Sequence, residues 1–164
     1  MEGTGDLITK MNLPPVTQIG VVVRDLEQAV KFYSTDLGLG PFSPITDLIP
    51  DKNMYLGEPH PMHLMISRAM WGWMEFELIQ PVEGKSVHRD FLETHGEGLH
   101  HLGIETDKYD EVIGKMSEGG FKALQKLEVF LPKFNSWGKA TFFDTRSVGG
   151  IIIEVVCRPW LISR

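Results

Sequence analysis

Cysteine is almost missing from this chain, and Cys157 is the only one. A single thiol excludes an internal disulfide framework and an internal thiolate zinc cluster, so the fold is expected to rest on its own core in a reducing compartment. Positive charge is scarce too. Sixteen Lys and Arg stand against 22 Asp and Glu, for a net charge of -6 without any basic cluster, which excludes the cationic stripe that nucleic acid requires. No run approaches the roughly 18 apolar residues of a membrane span, and Met1 to Asp6 lacks the basic start and apolar centre of a secretory leader. The expectation is a soluble cytoplasmic protein whose partner is a small molecule, with neither nucleic acid nor membrane involved.

What the chain does have is apolar residue in quantity. At 164 residues and 42% hydrophobic, it can form one compact domain or two small modules sharing a core. Residues 1–15 read as an arm ending at Pro14-Pro15. A strand over Val16–Val23 leads to a helix capped by Asp25, with Leu26, Ala29, Val30, Phe32 and Tyr33 at helical spacing until Gly38 and Gly40 stop it. Extended stretches follow at 42–49, 62–67 and 72–80, with a Pro- and Gly-containing loop before the second and Pro81 ending the third. These make a first module over 16–82. A connector over 83–97 carries a short helix near 86–94.

The plan then repeats over 98–158. A strand at 98–105 precedes a Thr106-Asp107 cap and a helix with Tyr109, Val112, Ile113 and Met116, which Gly119-Gly120 ends. Strands follow near 121–130, 139–145 and 149–158, and 159–164 form a tail. The predicted class is α+β, with two paired βαβββ modules. Neither module covers both faces of a four-stranded sheet, so the two concave faces are expected to pack into an open, metal-centred half-barrel cavity.

The candidate site follows from strand parity. Glu154 lies inside the apolar run Gly149 to Val156, where a charge is costly unless a partner or metal receives it. Gln18, Glu77 and His101 occupy similar strand contexts, and the repeat pairs Gln18 with His101 and Glu77 with Glu154. Gln18-Ile19-Gly20 and His101-Leu102-Gly103 also share an inward residue two before a glycine. Two carboxylates, an amide oxygen and an imidazole suit one divalent ion of borderline character: zinc, cobalt, nickel, iron or manganese. Such an ion can stabilise an enolate next to a chelated carbonyl.

Gln18 through Tyr33, Gly98 to Gly103 and Gly150 to Glu154 together resemble the vicinal oxygen chelate (glyoxalase, bleomycin resistance, dioxygenase) superfamily, nearest to methylmalonyl-CoA epimerase and then glyoxalase I. The resemblance implies metal ligands at Gln18, Glu77, His101 and Glu154, and a homodimeric enzyme. It points to an isomerase or epimerase removing a proton α to the chelated carbonyl. The epimerase pattern has His where this chain has Gln18, and the four-residue set resembles glyoxalase I, so a lactoylglutathione lyase is the alternative. An extradiol dioxygenase and a metal-free binding protein are further alternatives.

Alignment with the epimerase places His63 at its second acid-base position, so Glu154 and His63 are the expected catalytic pair, with Glu75 in reserve. Glu75 otherwise reads as a carboxylate paired with Lys or Arg. Parity aims His100 away from His101, and His60, His88 and His95 read as solvated. Trp71, Trp73, Phe134 and Trp137 read as pocket lining or core packing. Arg68 and Lys139 are candidates for holding a substrate anion.

Overall fold

The computed structural model describes residues 11–159. The arm's first ten residues and the tail beyond Pro159 lie outside the described residues. Ten strands form one mixed sheet: β1 (Gln18–Val22), β2 (Thr46–Leu48), β3 (Lys52–Tyr55), β4 (Glu58–Pro59), β5 (Met62–Trp71), β6 (Met74–Gly84), β7 (Gly98–Glu105), β8 (Ala123–Leu131), β9 (Ser136–Phe143) and β10 (Ile152–Cys157). Their spatial order is β2-β5-β6-β1-β7-β10-β9-β8-β3-β4. The central β1 and β7 run antiparallel, while β1 pairs parallel with β6 and β7 parallel with β10. The sheet curls into a half-barrel.

Among the described residues three α-helices accompany it, α1 (Leu26–Lys31), α2 (Val87–His95) and α3 (Tyr109–Glu118), with a π-helical stretch (Phe32–Asp36) continuing α1 and a 3-10 turn at Pro132–Phe134. Asp25 caps α1 by accepting the Gln28 amide at 2.9 Å. Leu26 then buries against Val23, Phe76 and Leu78 on the convex face. The second half mirrors this, with Val112 and Met116 of α3 against Phe143 and Val155. Thr106 shapes the entry to α3 by accepting the Lys108 amide, but α3 itself has no side-chain N-cap. Ser86 caps α2 at Arg89. The inner faces share one core, where Met62, Leu64 and Ile66 meet Leu127, Phe142 and Val156.

Three expectations change. The presumed loop before residue 62 contains β3 and β4, and β3 pairs with β8 of the other half. Gln125 fixes that junction, donating to Asn53 Oδ1 at 2.6 Å. Pro81 does not end β6, which runs to Gly84. Pro81 lies beyond the stretch of β6 paired with β1 and next to a register shift in β5, so its missing N–H costs no bond to a central neighbour. Finally, β9 begins at Ser136, three residues earlier than its apolar pattern indicates, because Ser136 and Trp137 continue the ladder with β8.

Candidate metal centre

Four side chains converge on the concave face of the central strands. His101 Nε2 lies 3.4 Å from Gln18 Oε1, 3.9 Å from Glu77 Oε2 and 3.2 Å from Glu154 Oε2. All four residues are buried. Glu77, His101 and Glu154 each bring a ligand-type atom within 4.8 Å of the others. Glu154 Oε2 has no hydrogen-bond partner, an arrangement that in a buried carboxylate calls for a cation.

The paired glycines make room for this convergence. On the antiparallel β1–β7 ladder Gly20 lies opposite His101, and Gly103 lies opposite Gln18. A Cβ on Gly20 would sit 2.0 Å from His101 Cε1, and one on Gly103 would sit 2.5 Å from Gln18 Oε1. Each half thus supplies one inward side chain and the gap that the other half's side chain fills.

Surrounding groups hold the four in place. Glu75 accepts from Gln18 Nε2 at 2.7 Å, leaving the Gln18 oxygen towards His101. Arg158 clamps Glu75 with two donors, at 2.6 and 3.0 Å, and lies 3.5 Å from Glu105. Arg68 binds the other side of Glu77, Nη2 to Oε1 at 2.5 Å. Burial acts to raise the Glu75 pKa, but Arg158, Arg68 and Gln18 together hold it below the usual carboxylate value. Burial raises that of Glu105. For His101, burial acts to lower the pKa, yet Glu154 and Glu77 outweigh it and hold it above 6.5.

Charge supports the same use. Glu75, Glu77 and Glu105 face the guanidiniums of Arg68 and Arg158 while Glu154 faces His101, which leaves two unbalanced negative charges when His101 is neutral. One divalent ion balances them. The donor set of one imidazole nitrogen and three oxygens fits a borderline cation and contains no thiolate.

Three histidines differ from their expected positions. The register shift between Gly20 and Val21 puts His100 in a bulge of β7, so His100 and His101 share a side and their Nδ1 atoms lie 2.9 Å apart. Strict alternation fails at that residue. The contact fixes the His101 ring with Nε2 facing the carboxylates, as a hydrogen-bond partner on the other ring nitrogen of a ligating histidine commonly does. His88 is not solvated: α2 inserts it beneath the site, 2% exposed, against Phe142 and His100. Burial keeps His88 and His100 well below the ordinary histidine pKa. His63 does not join the cluster. Leu64, Ile66 and Arg68 of β5 line the cavity, whereas His63 lies at a register shift and bonds Asp47 Oδ1 at 2.7 Å.

The remaining candidates are mostly peripheral. His95 is exposed and bonds Thr94, and His60 is half-buried beside Tyr55. Trp71 and Trp73 are exposed at the β5–β6 turn, Trp137 packs on Phe130 and Phe134 is exposed. The Lys139 ammonium lies over the Tyr109 ring. Glu75 is committed to Gln18 and Arg158, which matches its reading as a paired carboxylate.

A cavity of about 280 Å³ opens from the centre, with Gln18, Glu77, Glu154 and Arg68 at one end and aliphatic side chains on its walls. This curled sheet, with a cavity at the junction of two related halves, defines a class of protein. Residues 17–132 match the Glyoxalase/Bleomycin resistance protein/Dioxygenase superfamily, and the chain belongs to it. It is 26% identical over 141 residues to the uncharacterized protein YqjC of Bacillus subtilis (strain 168), a match covering 86% of this chain and 89% of the relative.

Solved structures share the fold, among them the following two. A hypothetical protein, BH1468 from Bacillus halodurans C-125, matches with TM-score 0.64 at 21% identity, over 88% of this chain and 94% of that one. Methylmalonyl-CoA epimerase from Mycobacterium tuberculosis matches with TM-score 0.61 at 20% identity, over 91% of each chain.

Proposed function

We propose that the protein is a divalent-metal-dependent isomerase or epimerase that removes a proton α to a chelated carbonyl and returns it through an enolate. The observation that carries this reading is the convergence of Gln18, Glu77 and Glu154 oxygens on His101 Nε2 at the closed end of an apolar cavity. When bound there, a divalent ion supplies Lewis acidity, polarising the carbonyl and compensating the enolate charge.

The chain's own residues divide the remaining work. Glu154 takes the α-proton, since its carboxylate faces His101 Nε2 at 3.2 Å without an aligned hydrogen bond to Oε2. Glu77 is fixed by Arg68 through Oε1 and serves to hold charge. Glu75 and Arg158 orient the Gln18 amide. The aliphatic walls exclude water from the carbanion. Epimerase-like interconversion at the α-carbon, the type of reaction named for the methylmalonyl-CoA epimerase that shares the fold, is the finer form of the proposal, with the acyl substrate itself left open.

A second reading, a glyoxalase I-like isomerisation, is favoured by the position of His63, which leaves the proposed proton transfer to carboxylates at the metal centre. Hydrogen–deuterium exchange at the α-carbon tests the enolate common to both forms, and the substrate that supports it separates them. On metal-loaded protein with a panel of 2-substituted acyl thioesters and keto compounds, exchange is expected with wild type. Glu154→Gln should retain part of the metal and lose turnover by roughly 10² to 10⁴. Undiminished exchange in Glu154→Gln would remove Glu154 as the base.

A further inference from the structure

The cavity's lining selects among substrates by charge. Arg68, Lys139 and Arg158 are its basic lining residues. Arg158 is committed to Glu75 and Glu105, and the Lys139 ammonium sits 5.8 Å from the Tyr109 ring centroid. Arg68 differs. Nη2 is bound to Glu77, while Nε is buried without an acceptor and only approaches Glu75 at 3.5 Å. The side chain is nonetheless about a third exposed where it lines the cavity, so the guanidinium edge held by neither Glu77 nor Glu75 can donate to a ligand oxygen.

The rest of the lining limits what accompanies that oxygen. Leu48, Leu64, Ile66, Leu127, Val129 and Val156 supply the walls. At about 280 Å³, the cavity falls at or below the roughly 300 Å³ lower end of pockets for drug-sized ligands. Phosphate groups are ordinarily gripped by several Arg or Lys donors, and here a single guanidinium has a donor to spare.

We infer that this cavity takes a small free carboxylic acid with a branched aliphatic substituent, its carboxylate held by Arg68 and its 2-oxygen directed to the metal centre. The inference rests on the proposed metal-centred function and narrows its substrate class away from phosphate-bearing thioesters. The charge arrangement adds a dependence. Four carboxylates against two guanidiniums repel an anion until a divalent ion neutralises them, so metal and carboxylate should bind with positive coupling.

Calorimetry on the full chain tests this, with 2-hydroxy-4-methylpentanoate, its primary amide and isobutyryl-CoA as probes, each with and without saturating zinc. The zinc-loaded protein should bind the acid at least tenfold more tightly than the amide and more tightly than the thioester. Arg68→Met should weaken the acid by about 10- to 100-fold, the scale of a lost charge-assisted hydrogen bond, with Arg68→Lys in between. Zinc occupancy is measured separately in each variant. Equal binding of acid and amide to wild type, or tighter binding of the thioester, would overturn the inference without depending on any variant. Zinc binding at one ion per chain without acid binding would overturn it while leaving the metal-centred function standing. Zinc-loaded protein that takes the acid no more tightly than the metal-free form would overturn the coupling the inference requires, and Arg68-dependent acid binding by a protein that binds no zinc would sink the metal-centred function.

Discussion

His101 is drawn two ways, since its burial disfavours the imidazolium while Glu154 and Glu77 favour it more strongly. With its pKa above 6.5, the metal-free contact between imidazolium and carboxylates stabilises the fold below pH 6.5 and is lost as pH rises through the raised value. A metal must displace that proton, because only the neutral ring offers a lone pair. Zinc affinity is therefore expected to weaken by about tenfold per pH unit below the His101 pKa, with about one proton released per ion. Calorimetry in two buffers of different ionisation enthalpy measures both; an affinity that is flat between about pH 6 and 8 would deny His101 this role.

The convergence of Gln18, Glu77, His101 and Glu154 was readable from the sequence because each lies on a regular stretch of strand where parity assigns a face. His100 was not, since one bulge residue reverses parity locally. His88 was not either, because its burial depends on where α2 docks, and neighbouring residues carry no sign of that.

Among the elements, the β1–β7 ladder bears most directly on function. The Gln-Ile-Gly and His-Leu-Gly echo is visible in the sequence, but its meaning needs the antiparallel register that sets each glycine against the other half's polar residue. Gly20→Ala should push the His101 ring aside and weaken metal binding on the order of 10- to 100-fold, the scale seen when a ligand loses its support. Gly114→Ala adds the same methyl on α3, where nothing beyond the helix's own backbone lies within 4 Å, and should leave metal binding unchanged. Equal affinity in both variants would show that the Gly20 gap is not what seats His101. By contrast, β3 was hidden, because Lys52-Asn53-Met54-Tyr55 shows no apolar alternation and owes its strand form to β8, whose partner residues lie 70 to 76 positions away.

For the molecule as a whole, duplication explains why one centre needs both halves. Gln18 and Glu77 come from the first and His101 and Glu154 from the second, and the inner faces of both build a shared core. The half-barrel was legible from the repeated order of strands and helices. The exchange of β3 and β4 onto the second half was not, since no local pattern encodes a pairing made only after the halves meet. No helix among the described residues is long and apolar enough to cross a membrane.

Metal stoichiometry tests the central claim most directly. Purified protein, stripped with chelator and titrated with zinc, cobalt, nickel, iron(II) or manganese, should bind one ion per chain, and His101→Ala should lose most of that binding while keeping a folded circular dichroism spectrum. Failure to bind any of these ions, or unchanged stoichiometry and affinity in folded His101→Ala, would contradict the account.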